Sequence, residues 1–131
     1  MIIKMTEQGI ADCIKYWQAQ LRLGDWEIEH SLVRYGDINC YAQMRWTLPT
    51  KGAAIDIADP DTWPTDYNET DMEDSIVHEL VHVLNAPLIQ KFKSSMTTEE
   101  FDLFVEFPTV ALAKVLTELH RNKKDLTPES E

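Results

Sequence analysis

Long apolar runs are missing from this chain. Hydrophobic residues make up 44% of the sequence, yet no stretch approaches the roughly 20 residues that a membrane-spanning helix needs. With 27% charged residues, the composition predicts a soluble globular protein. Cysteine is equally scarce, with only Cys13 and Cys40 present. The N-terminus, MIIKMTEQGIADC, has one early Lys but neither a sustained apolar stretch nor a small-residue cleavage site, so no export signal is expected. Two cysteines in such a chain predict reduced thiols rather than a disulfide framework, and a cytoplasm, the chain's own or a host's.

Basic residues are also few. Twelve Lys and Arg stand against 23 Asp and Glu, for a formal charge of −11. That balance opposes broad contact with a phosphate backbone and makes nucleic acid a poor partner. Asp56, Asp59, Asp61, Asp66, Glu69, Asp71, Glu73 and Asp74 follow one another without a single Lys or Arg, which predicts a solvated acidic loop leading to a helix N-terminus.

The 131 residues suffice for one core and one site, and no repeat or low-complexity tract divides them. A single domain over 1–120 is expected, with 121–131 as a mobile tail. Ile10, Ile14, Trp17 and Leu21 recur at helical spacing behind Thr6 as N-cap, predicting a helix from about Glu7 to Leu23 that Gly24 stops. From Trp26 the period changes to strand-like alternation, followed by a turn at Tyr35-Gly36-Asp37. Further strands are expected over Cys40–Trp46 and Ala53–Asp59. The segment PDTWPTDYNET, with Pro60 and Pro64, predicts a loop. Thr70 and Glu73 then form a capping box for a helix that Pro87 ends or kinks. A second box, Thr97 to Glu100, opens a last helix running to about His120, interrupted by Pro108. The order helix, three strands, loop, helix, helix predicts an α+β fold, with helices against a small, partly antiparallel sheet.

The second of these helices carries SIVHELVHVL, in which His78, Glu79 and His82 form H-E-x-x-H. At about 100° per residue, His82 lies about 40° and Glu79 about 100° from His78, so both imidazoles reach one ion with the carboxylate beside them. Ile76, Val77, Leu80, Val81, Val83 and Leu84 fill the opposite arc and predict the core face. Two neutral imidazoles one turn apart suit Zn²⁺ and leave a position for water. The metal lowers the pKa of that water, and an uncoordinated carboxylate, here Glu79, takes its proton as general base.

A catalytic zinc needs a third protein ligand. The extension H-E-x-x-H-x-x-G-x-x-H fails, because Asn85 and Leu88 occupy the Gly and His positions, and this excludes metzincin-type ligation. On the last helix, Glu99, Asp102 and Glu106 share one side of the wheel, while Phe101, Phe104, Val105, Leu112, Val115, Leu116 and Leu119 form the opposite arc, expected to face the core. Glu106 is the preferred ligand, being the acid closest to the apolar body of the helix; Glu99 and Asp102 are the alternatives.

The order W-E-I strand, G-A-A-I-D-I strand, capped H-E-L-V-H-V-L-N-A-P-L helix and acid-bearing helix resembles the small H-E-x-x-H metallopeptidases of phages and prophages, minimal gluzincin-like relatives of SprT-like proteases. The resemblance covers about residues 20 to 119, and only the zinc motif in it is specific. It implies a zincin-like fold and zinc-dependent hydrolysis of polypeptides, with one Zn²⁺ per chain on His78, His82 and Glu106 and Glu79 as base. The third His in an H-G context that SprT-like proteins usually offer is absent, and their DNA-linked substrates do not carry over to so acidic a chain. Zincins bind extended substrate at a sheet edge, which places it along Ala53 to Ala58. The group that stabilises the tetrahedral intermediate stays open among Tyr35, Arg45, Tyr67 and His120. Two other readings compete: a deformylase-like metal amidase with Cys40 as ligand, and a non-catalytic zinc-stabilised viral or host-interaction module.

Overall fold

A computed structural model describes residues 5–64 and 71–126. The Thr6 hydroxyl accepts a hydrogen bond from the Gly9 amide at 3.0 Å and starts helix α1, Glu7–Gln20, satisfying an amide that a first turn otherwise leaves open. Ile10, Ile14 and Trp17 form its buried stripe. The helix ends before Gly24, because Arg22 takes the left-handed conformation at φ 60°. The amides of Arg22 and Leu23 turn back to the carbonyls of Ala19 and Gln18, at 3.1 and 2.8 Å. This double closure drives the next apolar residue, Leu23, into the core.

Strands β1 (Glu27–Val33), β2 (Ala42–Thr47) and β3 (Gly52–Ala58) form a mixed sheet in the order β1-β3-β2. β3 pairs parallel to β1 and antiparallel to β2, so it is the central strand. Register places Ile28, Ala53 and Trp46 side by side, and next to them His30, Ile55 and Met44. The apolar members of these rows pack on the core, while Gln43, Arg45 and Asp56 occupy the alternate face. Asp56, expected in a solvated acidic stretch, is buried in β3 and accepts hydrogen bonds from Gln43 at 2.9 Å and Arg45 at 3.3 Å. Asp59 caps the 3-10 turn Pro60–Thr62. The expected turn at 35–37 is a single helical turn, α2 (Tyr35–Ile38), closed by Asn39 at φ 55°.

Helix α3, Met72–Leu84, carries the H-E-x-x-H residues. Asp71 is its N-cap, accepting hydrogen bonds from the amides of Glu73 and Asp74 at 3.0 and 3.3 Å. The expected cap, Thr70, lies outside the described residues, as does Tyr67. Ile76, Val77, Leu80, Val81 and Val83 are buried as the wheel predicts, but Leu84 is exposed. Pro87 does more than end this helix: it sits in the first turn of a new one, α4 (Ala86–Phe92), where a missing amide hydrogen costs nothing.

The Thr97–Glu100 capping box forms and opens α5, Thr98–Phe101. The helix then widens into a π turn, Asp102–Glu106, before α6, Phe107–Leu126. Pro108 has no amide hydrogen and its ring crowds the Phe104 carbonyl. The interruption therefore falls N-terminal to the proline, where the Phe107 amide reaches the Asp102 carbonyl five residues back. α6 continues past the expected end at His120 to Leu126; residues 127–131 of the expected tail lie outside the described residues.

The face that α6 buries is only in part the one its apolar residues predict: Leu116 packs on the core, but most of the expected arc does not. Thr109, Ala113 and Thr117 are 3%, 1% and 3% exposed, whereas Phe104, Leu112, Val115 and Leu119 face outward. Small side chains let α6 lie close to α3, and each threonine hydroxyl is satisfied by a carbonyl of its own helix, Val105 at 2.6 Å and Ala113 at 3.0 Å. Arg121 fixes the far end. It contacts Asp71 at 2.6 Å and Glu73 at 3.0 Å, and Glu73 also accepts from the Trp17 indole at 2.9 Å, so α1, α3 and α6 meet at one network. The result is an α+β fold, helices together with a small three-stranded mixed sheet. Among the described residues no helix is long and apolar enough to cross a membrane.

Two outcomes are expected. Arg121→Ala leaves Asp71 and Glu73 without their cation and lowers stability by about 1–2 kcal/mol in urea unfolding, a value reduced for the partial exposure of the guanidinium. Asp74, in the first turn of α3, has a buried carboxylate oxygen with no hydrogen-bond partner among the described residues. Burial first, and the Asp71 charge second, push its pKa above 3.8. An acid raised in the folded state binds its proton more tightly there, so its ionisation draws down stability as pH climbs from the ordinary Asp value through the folded one. Asp74→Asn is expected to match the wild type near pH ~3 and to melt higher near pH ~7; a pH-independent difference would remove this account.

Candidate metal centre

The α3 turn spacing sets His78 and His82 on one side of the helix, and the Nε2 atoms of the two rings lie 3.2 Å apart. Across from them, the π turn ends on Glu106. One carboxylate oxygen stands 3.2 Å from His78 Nε2 and the other 3.0 Å from His82 Nε2. The carboxylate reaches this point because Thr109 and Ala113, the next residues on its face, are small and buried against α3. Among the described residues, His78, His82 and Glu106 form the cluster whose ligand atoms all lie within 4.8 Å of one another. Glu99 and Asp102, the alternatives on the same wheel, are not in it.

The donor set and its dimensions fit a divalent metal. Four ligands on bonds of about 2.0–2.1 Å, arranged tetrahedrally, stand about 3.3–3.4 Å apart, close to the 3.0–3.2 Å separations here. The three donors, two imidazoles and a carboxylate, are a set that zinc accepts while keeping a position open. Burial pushes the His82 pKa down, with the His78 and Lys93 charges adding to the effect and Glu106 opposing it. This favours the neutral ring that a cation requires. The His82 Nδ1 atom is buried with no hydrogen-bond partner among the described residues, so packing of α3 sets the ring's orientation.

Glu79 stands beside the cluster, with a carboxylate oxygen 3.9 Å from His78 Nε2 and a side chain only 13% exposed. Burial, and then the charge of Glu106, raise its pKa to about 8. It lines a cleft of about 410 Å³ that also holds the three cluster residues, together with Ala42, Gln43, Met44 and Trp46 of β2 and with Ile89, Lys93 and Phe101. β3, expected to face substrate, is the central strand with both edges paired. The strand on the cleft is β2, paired on one edge with β3.

Sequence reasoning missed Lys93. Its ammonium lies 5.4 Å from the Phe101 ring centroid and is the cation lining the cleft among the described residues. A lone Lys in KFKSS carries no pattern that marks it, and only the turn after α4 brings it here. The earlier candidates for a charge-stabilising group lie elsewhere. Arg45 pairs with Asp56 on the outer sheet face, Tyr35 packs on Tyr41, and His120 meets the Tyr16 hydroxyl at 3.0 Å. Both cysteines are free thiols. Cys40 lines the cleft, yet it lies outside the cluster, its thiol donates to the Ala42 carbonyl, and burial together with the Glu79 charge pushes its pKa up. No protein-family model, curated protein or solved structure matches the chain.

Proposed function

We propose that the protein is a zinc-dependent peptidase. The observation that carries this reading is the convergence of His78, His82 and Glu106 from two helices, with Glu79 beside them and not among them. A zinc ion held by those three residues supplies Lewis acidity, making water acidic near neutral pH and polarising a carbonyl.

The chain's own groups do the rest. An extended polypeptide pairs its backbone with the outer edge of β2, so that a peptide bond lies over His78 and His82. Glu79 accepts the proton of the attacking water and delivers it to the leaving amine as the C–N bond breaks. The Lys93 ammonium, in the same cleft, offers positive charge to the oxygen on which negative charge develops. Trp46 and Ile89 narrow the cleft with apolar surface, which limits water around the reacting bond.

The expected stoichiometry is one zinc per chain by elemental analysis. His82→Ala abolishes binding, and Glu106→Ala weakens it by about 100-fold or more, above the range for losing an outer-sphere partner. Cys40→Ser leaves affinity unchanged; a large loss would favour the deformylase-like alternative. Glu79→Gln keeps the metal while cleavage of unfolded polypeptides falls by about 10²–10⁴-fold. Equal cleavage by Glu79→Gln and wild type would sink the general-base assignment. A wild-type protein that binds zinc and cleaves no member of a broad peptide library would instead be a zinc-stabilised interaction module.

A further inference from the structure

One carboxylate beside the candidate metal centre is not used by the fold. Asp74 stands four residues before His78 and eight before His82 on α3, so the three side chains form one row along the helix, with about 6 Å of axial rise between neighbours. Asp71 caps this helix, and Glu73 accepts from Arg121 and from the Trp17 indole. Asp74 has no such role: one of its oxygens is buried with no partner among the described residues, and Lys114 and Arg121 act on it only through space. Buried in this way, its charge lowers stability at neutral pH. Groups that weaken a fold and pair with nothing in it are typical of binding sites.

A pocket of about 190 Å³ opens at this carboxylate. It shares Ala42, His78 and Glu79 with the cleft over the metal cluster, so the two spaces adjoin. Beyond the shared residues it is lined by Tyr41, Asp74, Ser75 and Val110, and among the described residues no Lys or Arg lines it. Tyr41 is held by ring contacts with Tyr35 and Trp63, at centroid distances of 5.3 and 5.1 Å, which gives the pocket a fixed aromatic wall. A ring and an apolar side chain can flank the alkyl stem of a long cationic residue while a carboxylate takes its head. The overall charge of −11 draws cationic polypeptides towards the molecule in the first place. In the other direction the cleft does not end at the cluster. Trp46 lies four residues further along β2, about 13 Å away, and with Ile89 and Lys93 it leads into another pocket bordered by Gln90 and Ser94. A polypeptide can thus extend to both sides of the metal ligands, which favours an interior residue over a chain terminus.

We propose that the Asp74 pocket is a subsite for the side chain of a Lys or Arg within an extended polypeptide, about two residues from the peptide bond over His78 and His82. Asp74 is then the specificity-determining residue of the cleft. The placement of the scissile bond rests on the peptidase reading; the preference of the pocket for a cation does not depend on cleavage.

Binding is therefore measured first, by isothermal titration calorimetry on zinc-loaded Glu79→Gln protein. The probes are acetylated and amidated peptides of about eight residues, long enough to span β2, identical except for Lys, Arg or Met at one scanned position. At one position Lys and Arg are expected to bind about 10-fold or more tighter than Met. Adding Asp74→Asn makes the three peptides bind alike, whereas Asp74→Glu keeps part of the preference. Circular dichroism and zinc content stay unchanged in Asp74→Asn, because the residue lies outside the ligand cluster. Cleavage by protein with Glu79 intact is expected to show the same preference and the same loss. Equal binding of Lys and Met peptides at every position overturns the proposal, as does a preference that survives Asp74→Asn. A preference confined to peptides with a free N-terminus gives the pocket to an α-amine and overturns the side-chain assignment. Protein that binds Lys peptides through Asp74 but cleaves none of them keeps the subsite and fails as a peptidase; cleavage without any preference does the reverse.

Discussion

The close approach of α6 to α3 is the constraint on which the site depends. A carboxylate on one helix meets imidazoles on another only where the helix axes are near. The residues between them, Thr109, Ala113 and Thr117, are small and buried. Threonine in a packed helix face carries a hydroxyl that must be satisfied, and here each donates to a carbonyl of its own helix. Both hydroxyls of this close contact are therefore satisfied. At one end of it stands Glu106; at the other, Arg121 grips the cap of α3 through Asp71 and Glu73. The same guanidinium that anchors α6 thus also fixes the start of the helix that presents His78 and His82.

The π turn is the second half of this arrangement. Pro108 cannot donate to Phe104, and its ring excludes an ordinary turn before it. The widened stretch from Asp102 to Glu106 absorbs that conflict and shifts the angular phase between the capped start at Thr97 and the small-residue face beyond it. A uniform helix would not direct both as observed. Wide turns of this type recur at functional sites for this reason.

Local signals were legible in the sequence and long-range ones were not. Thr6 and the Thr97–Glu100 box announce helix starts because a cap is a contact between residues three apart. The H-E-x-x-H face is likewise fixed by the geometry of one helix, whereas the wheel of the last helix left Glu99, Asp102 and Glu106 together and only preferred Glu106 as their partner. The outward face of α6 was hidden, because apolar side chains identify a surface that wants a partner without saying which partner. Here the core took Thr109, Ala113 and Thr117, with Leu116 packed partly against it, and left Phe107, Leu112, Val115 and Leu119 outside. Strand order was also hidden: Ala53–Ala58 has the composition of any buried strand, and only the parallel pairing with β1 makes it central and passes the cleft-facing edge to β2. Lys93 had no signal at all, since its position follows from the α4 turn.

The cleft concentrates groups that a stable fold would keep apart. Two carboxylates, Glu79 and Glu106, sit within one half-buried space, and each imidazole faces the other across 3.2 Å. Burial and the Glu106 charge hold Glu79 towards its protonated form, so this part of the molecule works against its own solvation. Such local conflict persists where packing elsewhere over-determines the positions. The Asp71 cap, the Arg121 network and the Thr109–Thr117 interface provide that surplus. In the proposed peptidase a divalent cation held by His78, His82 and Glu106 would reverse the sign of the balance. Glu106 would then be a ligand, the imidazoles would share a partner, and Glu79 would ionise next to positive charge, which is the state a general base requires.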